Sequence, residues 1–325
     1  MEYFKPDETW EVFGIKSKEE FISKLVVEPK FHKNVPEDLT KSFRTVSFLL
    51  AHSYYHWPMF DEALSKALLV MEMAVKLKAK KLNIDLKLLP NKKGVQYDKR
   101  LSDLIKEVCT GPFKALIEDF GRARNLRNYK MHPSKYTFMG GLSKANYNCY
   151  LFINIINQLF LPENELNDLI IKQEHLKEKL LPFKSGLLVL KFDDKKILID
   201  GFHIFKYREF EEKPLLMLYI NPLTTKVDEQ YSQKKYPDPL ILSFSKFEIT
   251  DNGILGSDLE GEPIKIYFDD NEDNLKTYLK YNKELSKVTE TDLNMFMQAD
   301  SQRALWKIEK LIYENSWELA DNRIE

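Results

Sequence analysis

The chain has 325 residues, of which 43% are hydrophobic and 30% are charged, and its net charge is −1. This composition is typical of a well-packed soluble protein and excludes intrinsic disorder, while the length favours two domains. Two cysteines outside any CxxC pair, Cys109 and Cys149, exclude a disulfide framework, and the absence of a signal peptide or an apolar span predicts a cytoplasmic protein.

The first part of the chain is predicted to be helical. The capping box Ser17-Lys18-Glu19-Glu20 begins a short helix, and the acids after Pro36 begin a longer one. After Pro58, apolar residues recur at the i, i+3, i+4 and i+7 spacing of one helical face. The residues of this face are Leu64, Ala67, Leu68, Met71, Ala74 and Val75. Residues 89–95 are predicted to be a loop because they contain proline, asparagine and glycine.

The rest of the chain changes from helix to strand and back. Further helices are predicted over residues 97–108, 112–128, 142–160 and 163–181. Strands are predicted over residues 187–192, 196–210, 214–220, 239–249 and 263–268, and final helices over 271–285 and 301–319. The pattern predicts an α+β protein, with an all-α domain over residues 1–185 and a smaller, β-rich α+β domain over residues 186–325.

Charge is distributed unevenly along the chain. Between Lys76 and Lys144 there are 17 basic and 6 acidic residues, a balance of +11, so the remainder carries −12. A basic block in an otherwise acidic protein favours a face that binds a polyanion. The alternative is that these lysines only solvate helix surfaces, and charge alone does not decide between the two interpretations.

The residues with the clearest chemical meaning lie at the end of the helix predicted over 112–128. Arg127 and Asn128 are followed by three residues and then by His132 and Pro133. This spacing resembles the motif of HEPN domains: an arginine, a polar residue, three variable residues and a histidine. HEPN domains are antiparallel helical bundles that carry this motif at a late helix junction, so the resemblance implies a HEPN-like bundle here.

The resemblance extends beyond the motif. The segments Ala67-Leu68-Leu69 and Glu72-Met73-Ala74-Val75 are similar to the first long helix of HEPN domains, and the likeness covers residues 40–181, somewhat under half of the chain. HEPN nucleases typically pair two motifs across a dimer cleft, and this chain has one. The resemblance therefore implies a homodimer with a composite site, for which the apolar helices over 64–75 and 142–160 are candidates to supply the buried surface.

The resemblance implies a metal-independent endoribonuclease. RNA is cleaved when its 2′-hydroxyl attacks the adjacent phosphorus, which requires a proton acceptor, a proton donor and positive charge near the phosphate. His132 would be the general acid or base, because histidine titrates near neutral pH. Arg127 would bind the phosphate oxygens, and Asn128 would hydrogen-bond to phosphate or orient the imidazole. Neither a metal nor another cofactor is expected, and the products would carry 2′,3′-cyclic phosphate and 5′-hydroxyl ends.

Other residues are expected to support this chemistry. Glu72 would orient Arg127, according to the HEPN interpretation. The residues expected to bind the RNA backbone are Arg124, Lys130 and Lys135. Two alternatives stay open: Arg127 could form a structural ion pair with Glu118, Asp119 or Glu72, and His132 could simply hydrogen-bond a carbonyl at the helix end.

Several functions are compatible with these observations. The first is an endoribonuclease of phage defence or of a toxin–antitoxin pair, in which residues 186–325 form a sensor or regulatory domain. Its partners would be RNA, a second copy of the chain and an antitoxin or regulatory protein, with no membrane. The alternative is a non-catalytic HEPN module that binds nucleic acid or a nucleotidyltransferase. A third hypothesis places a ligand pocket in the β-rich domain, among Phe202, Phe205, Tyr207, Tyr219 and Phe244.

Overall fold

The computed structural model describes residues 3–131, 143–210 and 212–317, with side chains described except at 127–131, 143–145 and 203–205. It contains helices and an antiparallel β-sheet, which confirms the predicted α+β class. The chain divides into two compact units: Met1–Asn167 with Ile312–Glu325, and Asp168–Leu311. Within the described part of the chain, no helix combines the length and apolar character needed to cross a membrane.

The first unit is built from helices, and its capping follows the sequence pattern. The helices are α1 (Thr9–Val12), α2 (Lys18–Leu25), α3 (Glu37–His52), α4 (Met59–Lys81), α5 (Leu101–Val108), α6 (Ile117–Met131) and α7 (Ser143–Phe160). A 3₁₀ turn, Gly111–Leu116, precedes α6. The hydroxyl of Ser17 accepts a hydrogen bond from the backbone N–H of Glu20 at 3.1 Å, which confirms the predicted start of α2.

Helix α4 is buried along most of its length. All six residues of its predicted apolar face are buried, which confirms that prediction. Ala63, Val70 and Ala79 are buried as well, because α4 contacts α3, α5, α6 and α7. The apolar residues of α4 and α7 therefore lie in the core of this unit, and the prediction that these helices supply a dimer surface stays a prediction.

Helix α7 fixes a loop of the same unit through buried amides. The side chain of Asn157 is fully buried, and its Oδ1 accepts a hydrogen bond from the backbone N–H of His32 at 2.9 Å. Its Nδ2 donates to the carbonyls of Lys30 and Ile153, at 2.9 Å and 3.0 Å. Since a buried amide without partners would be costly, these bonds explain how an asparagine fits within an apolar helix.

The second unit contains an antiparallel sheet. The strands are β1 (Leu187–Phe192), β2 (Lys195–Phe210), β3 (Lys213–Pro222), β4 (Leu240–Phe244), β5 (Lys246–Thr250), β6 (Gly253–Ser257) and β7 (Pro263–Phe268). Their order in the sheet is β4-β3-β2-β1-β7-β6-β5. The helices are α8 (Glu163–Leu180), which begins in the first unit, α9 (Val227–Tyr231), α10 (Glu272–Leu285) and α11 (Glu290–Ser316), which ends there.

One side of α8 belongs to the core of the sheet. Leu169, Leu176 and Leu180 pack with apolar residues of the strands, which is why the second unit begins at Asp168. The domain boundary predicted between residues 185 and 186 stays a prediction, because the compact units divide the chain differently: α8 joins the sheet, and the chain from Ile312 onward joins the first unit.

Some predicted elements were wrong in their bounds. The helix predicted over 97–108 begins at Leu101, because the residues before it pair in a hairpin. The strand predicted over 239–249 is two strands separated by Ser245, whose hydroxyl donates to the carbonyl of Asp258. The last helix begins at Glu290 rather than at 301, and helix α9 was not predicted.

Lys78 is a buried cation in the core of the first unit. The residue is only 6% exposed, and its Nζ lies 4.0 Å from the ring centroid of Phe113 and 5.9 Å from that of Phe160. Burial, with a smaller contribution from nearby Lys81, lowers the pKa of Lys78 to about 8, and Glu163 opposes this shift. Within the described residues Lys78 forms no ion pair. Its cation–π contacts with Phe113 and Phe160 are therefore the main interactions that offset the cost of burying its charge.

This burial predicts a pH-dependent stability. Between about pH 8 and pH 10.5 the folded protein binds fewer protons at Lys78 than the unfolded chain, so the free energy of unfolding rises with pH across this window. Lys78→Met removes that rise and should raise the free energy of unfolding at pH 7 by about 1–3 kcal/mol. Urea denaturation at pH 7 and pH 10 measures both effects.

The control is Lys41→Met, at a lysine whose side chain is 62% exposed on α3. This variant should keep the wild-type pH dependence. A Lys78→Met protein that is less stable than wild type at pH 7, or that retains the rise in stability, would contradict the assigned pKa.

Candidate functional site

A cavity of about 410 Å³ lies in the first unit where α4, α6 and the start of α5 meet. Its lining residues are Glu72, Lys76, Asp98, Lys99, Arg100, Leu101, Ser102 and Arg124. Two of them, Glu72 and Arg124, were predicted from the sequence to belong to the functional site. The fold brings these two residues from separate helices to the same cavity.

Glu72 lies on the polar side of α4, between buried residues of its core face. Its side chain is 17% exposed, and its Oε1 lies 2.9 Å from the Nζ of Lys76, one turn further along the helix. A carboxylate has two oxygens with about four acceptor positions, so its geometry allows contact with more than one cation. The role predicted for Glu72, orienting Arg127, stays a prediction.

Arg124 lines the cavity and has one buried donor. Its Nε is buried and has no hydrogen-bond partner among the residues that the structure describes. A guanidinium stays charged at any physiological pH and presents its donors in a planar fork that matches phosphate oxygens. An anion that enters the cavity would interact favourably with the guanidinium charge of Arg124.

The start of α5 adds positive potential. Leu101 and Ser102 are the first residues of this helix and line the cavity, and N–H groups in a first helical turn lack intrahelical acceptors. Arg100 precedes them in an extended conformation with φ −64° and ψ 147°. Backbone donors and a cation are thus placed together at one end of the cavity, as in sites that bind anions at helix termini.

The lining has more cations than anions. Four basic residues face two acidic ones, a balance of +2. Lys76 is paired with Glu72, and Lys99 is paired with Glu107 at 2.7 Å. Arg100 and Arg124 form no ion pair within the described part of the chain. Their charges are available to a ligand, and the arrangement is suited to a phosphate group.

A basic hairpin leads into this cavity, and the sequence analysis had predicted only a loop there. The N–H of Leu88 donates to the carbonyl of Tyr97, and the N–H of Lys99 donates to that of Leu86, both at 2.8 Å. The turn uses Gly94 at φ +74°. The exposed basic residues of the hairpin are Lys87, Lys92 and Lys93, and its exposed aromatic residue is Tyr97.

Exposed cations beside an exposed aromatic ring are the combination that holds single-stranded nucleic acid, through the backbone phosphates and base stacking. The sequence signal that could have revealed the hairpin is the asparagine–glycine turn at Asn91 and Gly94. The Oδ1 of Asn91 accepts hydrogen bonds from the N–H groups of Lys93 and Val95, at 2.9 Å and 3.0 Å.

The predicted catalytic residues lie at the edge of the described structure. Arg127, Asn128 and Lys130 belong to the backbone of α6, and their side chains lie outside the described part. His132 and Lys135 lie outside the described residues altogether. Position 127 follows Arg124 by three residues, so helical periodicity puts both positions on the same side of α6.

The structure alters two other expectations about sites. The aromatic pocket predicted in the β-rich region was wrong, since Phe202, Tyr207 and Phe244 pack in the hydrophobic core of the sheet. Tyr219 does line a cavity, though with different neighbours, and the side chain of Phe205 lies outside the described part. Among the residues described, no group of three or more histidine, cysteine or acidic side chains is arranged to hold a metal ion.

Comparisons of this chain with protein-family models, with curated proteins and with solved structures found no match. The interpretation of the cavity therefore depends on its own residues and on the resemblance of the motif at Arg127, Asn128 and His132.

Arg124 provides a direct test of the cavity as an RNA-binding site. Arg124→Gln should weaken binding of a 2′-O-methyl RNA, which lacks the attacking hydroxyl, by about tenfold, because a charged hydrogen bond to phosphate is lost. The slope of log affinity against log salt should fall by about 1. Fluorescence anisotropy over a range of salt concentrations measures both.

Lys41→Gln, on an exposed position of α3, is the matched control for removing one positive charge. An equal loss of affinity in the two variants would assign the effect to overall charge and contradict a specific role for Arg124.

Proposed function

We propose that this chain is a metal-independent HEPN-type endoribonuclease of phage defence or of a toxin–antitoxin pair. The observation that supports the proposal is the cationic cavity, where Glu72 and Arg124 meet one helical turn before the position of Arg127. A cationic cavity in a chain that carries an Arg-Asn-x3-His motif supports the proposal, because cleavage of RNA by its own 2′-hydroxyl needs positive charge near the phosphate and groups that transfer protons.

The reaction assigns one role to each motif residue. A base removes the proton of the 2′-hydroxyl, the 2′-oxygen attacks the phosphorus, and the bond from phosphorus to the 5′-oxygen breaks as that oxygen gains a proton. His132 serves one of these proton transfers. Arg127 neutralises the pentavalent phosphorane, with Glu72 holding its guanidinium in place. Asn128 hydrogen-bonds to the phosphate or to the imidazole.

Two proton transfers and one motif histidine per chain favour a composite site. In the proposed homodimer each subunit supplies one motif to a shared cleft, so one histidine acts as the base and the other as the acid. Arg124, Lys130 and Lys135 then bind the RNA backbone on either side of the scissile phosphate, together with the basic hairpin. An antitoxin or regulatory protein that covers this cleft would control the activity.

The alternative function is a non-catalytic HEPN module that binds nucleic acid or a nucleotidyltransferase. The observation that favours it is the same cavity, because unpaired cations and helix N–H groups hold phosphate without any chemistry. The two functions differ in one respect: the nuclease needs His132 to cleave the bound RNA, whereas the binding module does not cleave RNA at all.

RNA cleavage in EDTA tests the proposal. Wild-type protein should cut RNA without metal. His132→Ala should lower the rate by about 10²–10⁴-fold, because a general acid or base is removed. Arg127→Ala should lower it by about 10²–10³-fold, because the charge opposite the phosphorane is lost. Lys41→Ala, purified in the same way, is the control: it should cut RNA like wild type, which excludes an effect of handling or of a contaminating nuclease.

The outcomes separate the hypotheses. Equal cleavage by wild type and both motif variants would exclude the motif from the mechanism. No cleavage by wild type, together with RNA binding that depends on Arg124, would replace the nuclease with the binding module.

A further inference from the structure

A second cavity, of about 390 Å³, lies entirely within the second unit. Its wall is formed by the end of β3, the segments on either side of α9, the end of α10 and the first half of α11. Four aromatic residues contribute to it: Tyr219, Tyr231, Tyr281 and Phe296. Cavities of this size with a mostly apolar wall and a few polar groups are the usual form of small-molecule sites.

The charge of this lining has one sign. Asp200, Asp238 and Asp300 line the cavity, and none of its described lining residues is lysine, arginine or histidine. Arg303 and Lys307 lie behind this lining, where they pair with Asp300 and Asp238. The described residues also lack a cluster of three or more metal-ligating side chains, so the wall does not resemble a site for a metal ion.

Asp200 lines the cavity because of a β-bulge. The register of β2 against β3 shifts between Ile199 and Phe202, and both of these residues are buried in the core of the sheet. Regular alternation would put residues three apart on opposite faces, so the bulge reorients the residues between them. Gly201 adopts φ +66°, and a Cβ there would lie 2.1 Å from the carbonyl oxygen of Lys184.

The carboxylate of Asp200 is held through only one of its oxygens. Its Oδ1 accepts a hydrogen bond from the hydroxyl of Tyr278 at 2.9 Å and one from the N–H of Gly186 at 3.3 Å. Its Oδ2 has no hydrogen-bond partner among the described residues. The bonds at Oδ1 fix the carboxylate and leave Oδ2 as a further acceptor of a residue that lines the cavity.

Asp300 is a second negative group, buried behind the wall. It is only 3% exposed; the hydroxyl of Tyr219 donates to its Oδ2, and Arg303 donates to its Oδ1 at 2.8 Å. Burial raises the pKa of this carboxyl, and the bonds from Tyr219 and Arg303 oppose that shift. Because its oxygens already have partners, Asp300 supports Tyr219 instead of serving as the first contact for a ligand.

The tyrosines of the wall are neutral. Burial raises the pKa of Tyr219, of Tyr231 and of Tyr281 above the ordinary value, so the three rings remain protonated at physiological pH. Neutral phenol rings have electron-rich faces that attract cations. Aromatic rings and a carboxylate in the lining of one cavity are a combination that can recognise an ammonium group.

We propose that this cavity binds a small organic cation, an amine with an apolar body, whose ammonium group contacts Oδ2 of Asp200 and the aromatic wall. This assignment is independent of the ribonuclease, because every residue in it belongs to the second unit. It gives the second unit a ligand of its own, consistent with the sensor role expected from the sequence.

Calorimetric titration of the full chain tests the proposal with amines of different shape. Tyramine, agmatine and choline are the cations. The neutral 4-ethylphenol and the anionic 4-hydroxyphenylacetate keep the aromatic body of tyramine and change its charge. At least one cation should bind, and the best should bind about tenfold or more tightly than either control, because a charged hydrogen bond is made only by the cation.

Two substitutions locate the site. Asp200→Asn keeps the shape of the side chain and the acceptor for Tyr278, and it should weaken binding of the best amine by about tenfold. Asp238→Asn, at a side chain that is 85% exposed at the rim, should change it by less than about twofold.

Failure of all three amines to bind would overturn the proposal. Equal binding of the best amine and 4-ethylphenol, or equal effects of the two substitutions, would also overturn it, since each would remove Asp200 from recognition. None of these results depends on whether the protein cleaves RNA.

Discussion

Burial of α4 constrains the rest of the helical unit. The helix contacts α3, α5, α6 and α7, and alanines at 63, 67, 74 and 79 are buried at these contacts. Small side chains let neighbouring helices approach closely, so α4 is covered on most of its circumference. The strip that remains carries Glu72 and Lys76, and the cavity forms along this strip. The position of the candidate site is thus a consequence of how the core is packed.

The chemistry of the cavity depends on charges that the core cannot neutralise. Lys76 and Lys99 have acidic partners, whereas Arg100 and the buried Nε of Arg124 have none among the described residues. Keeping such groups in a partly enclosed space is unfavourable without a ligand, because desolvation is only partly compensated. An anion bound in the cavity would place acceptor oxygens beside Arg100 and the guanidinium of Arg124.

The sequence was most informative where structure is local. The apolar face of α4 and the cap at Ser17 follow from spacing and residue type, and both were predicted correctly. Glu72 and Arg124 were also selected from the sequence, although only the fold shows that they share a cavity.

What the sequence did not reveal depends on contacts between distant segments. The turn of the hairpin before α5 is signalled by Asn91 and Gly94, but the strand pairing on either side of it is held by backbone bonds that residue type does not reveal. The bulge at Asp200 depends on pairing with β3, and the lining of the second cavity comes from strands and helices far apart in the chain. For the same reason the aromatic residues first expected to form a pocket, such as Phe202, were found in the core. Hydrophobicity alone does not distinguish a ligand-binding wall from a packed interior.

The most direct test of the central claim is the chemistry of the RNA ends, read by mass spectrometry after digestion in EDTA. Attack by the 2′-hydroxyl at the site of Arg127 and His132 predicts a 2′,3′-cyclic phosphate on one product and a 5′-hydroxyl on the other. Products with a 3′-hydroxyl and a 5′-phosphate would require water or another nucleophile to attack the phosphorus, and they would contradict the proposed mechanism.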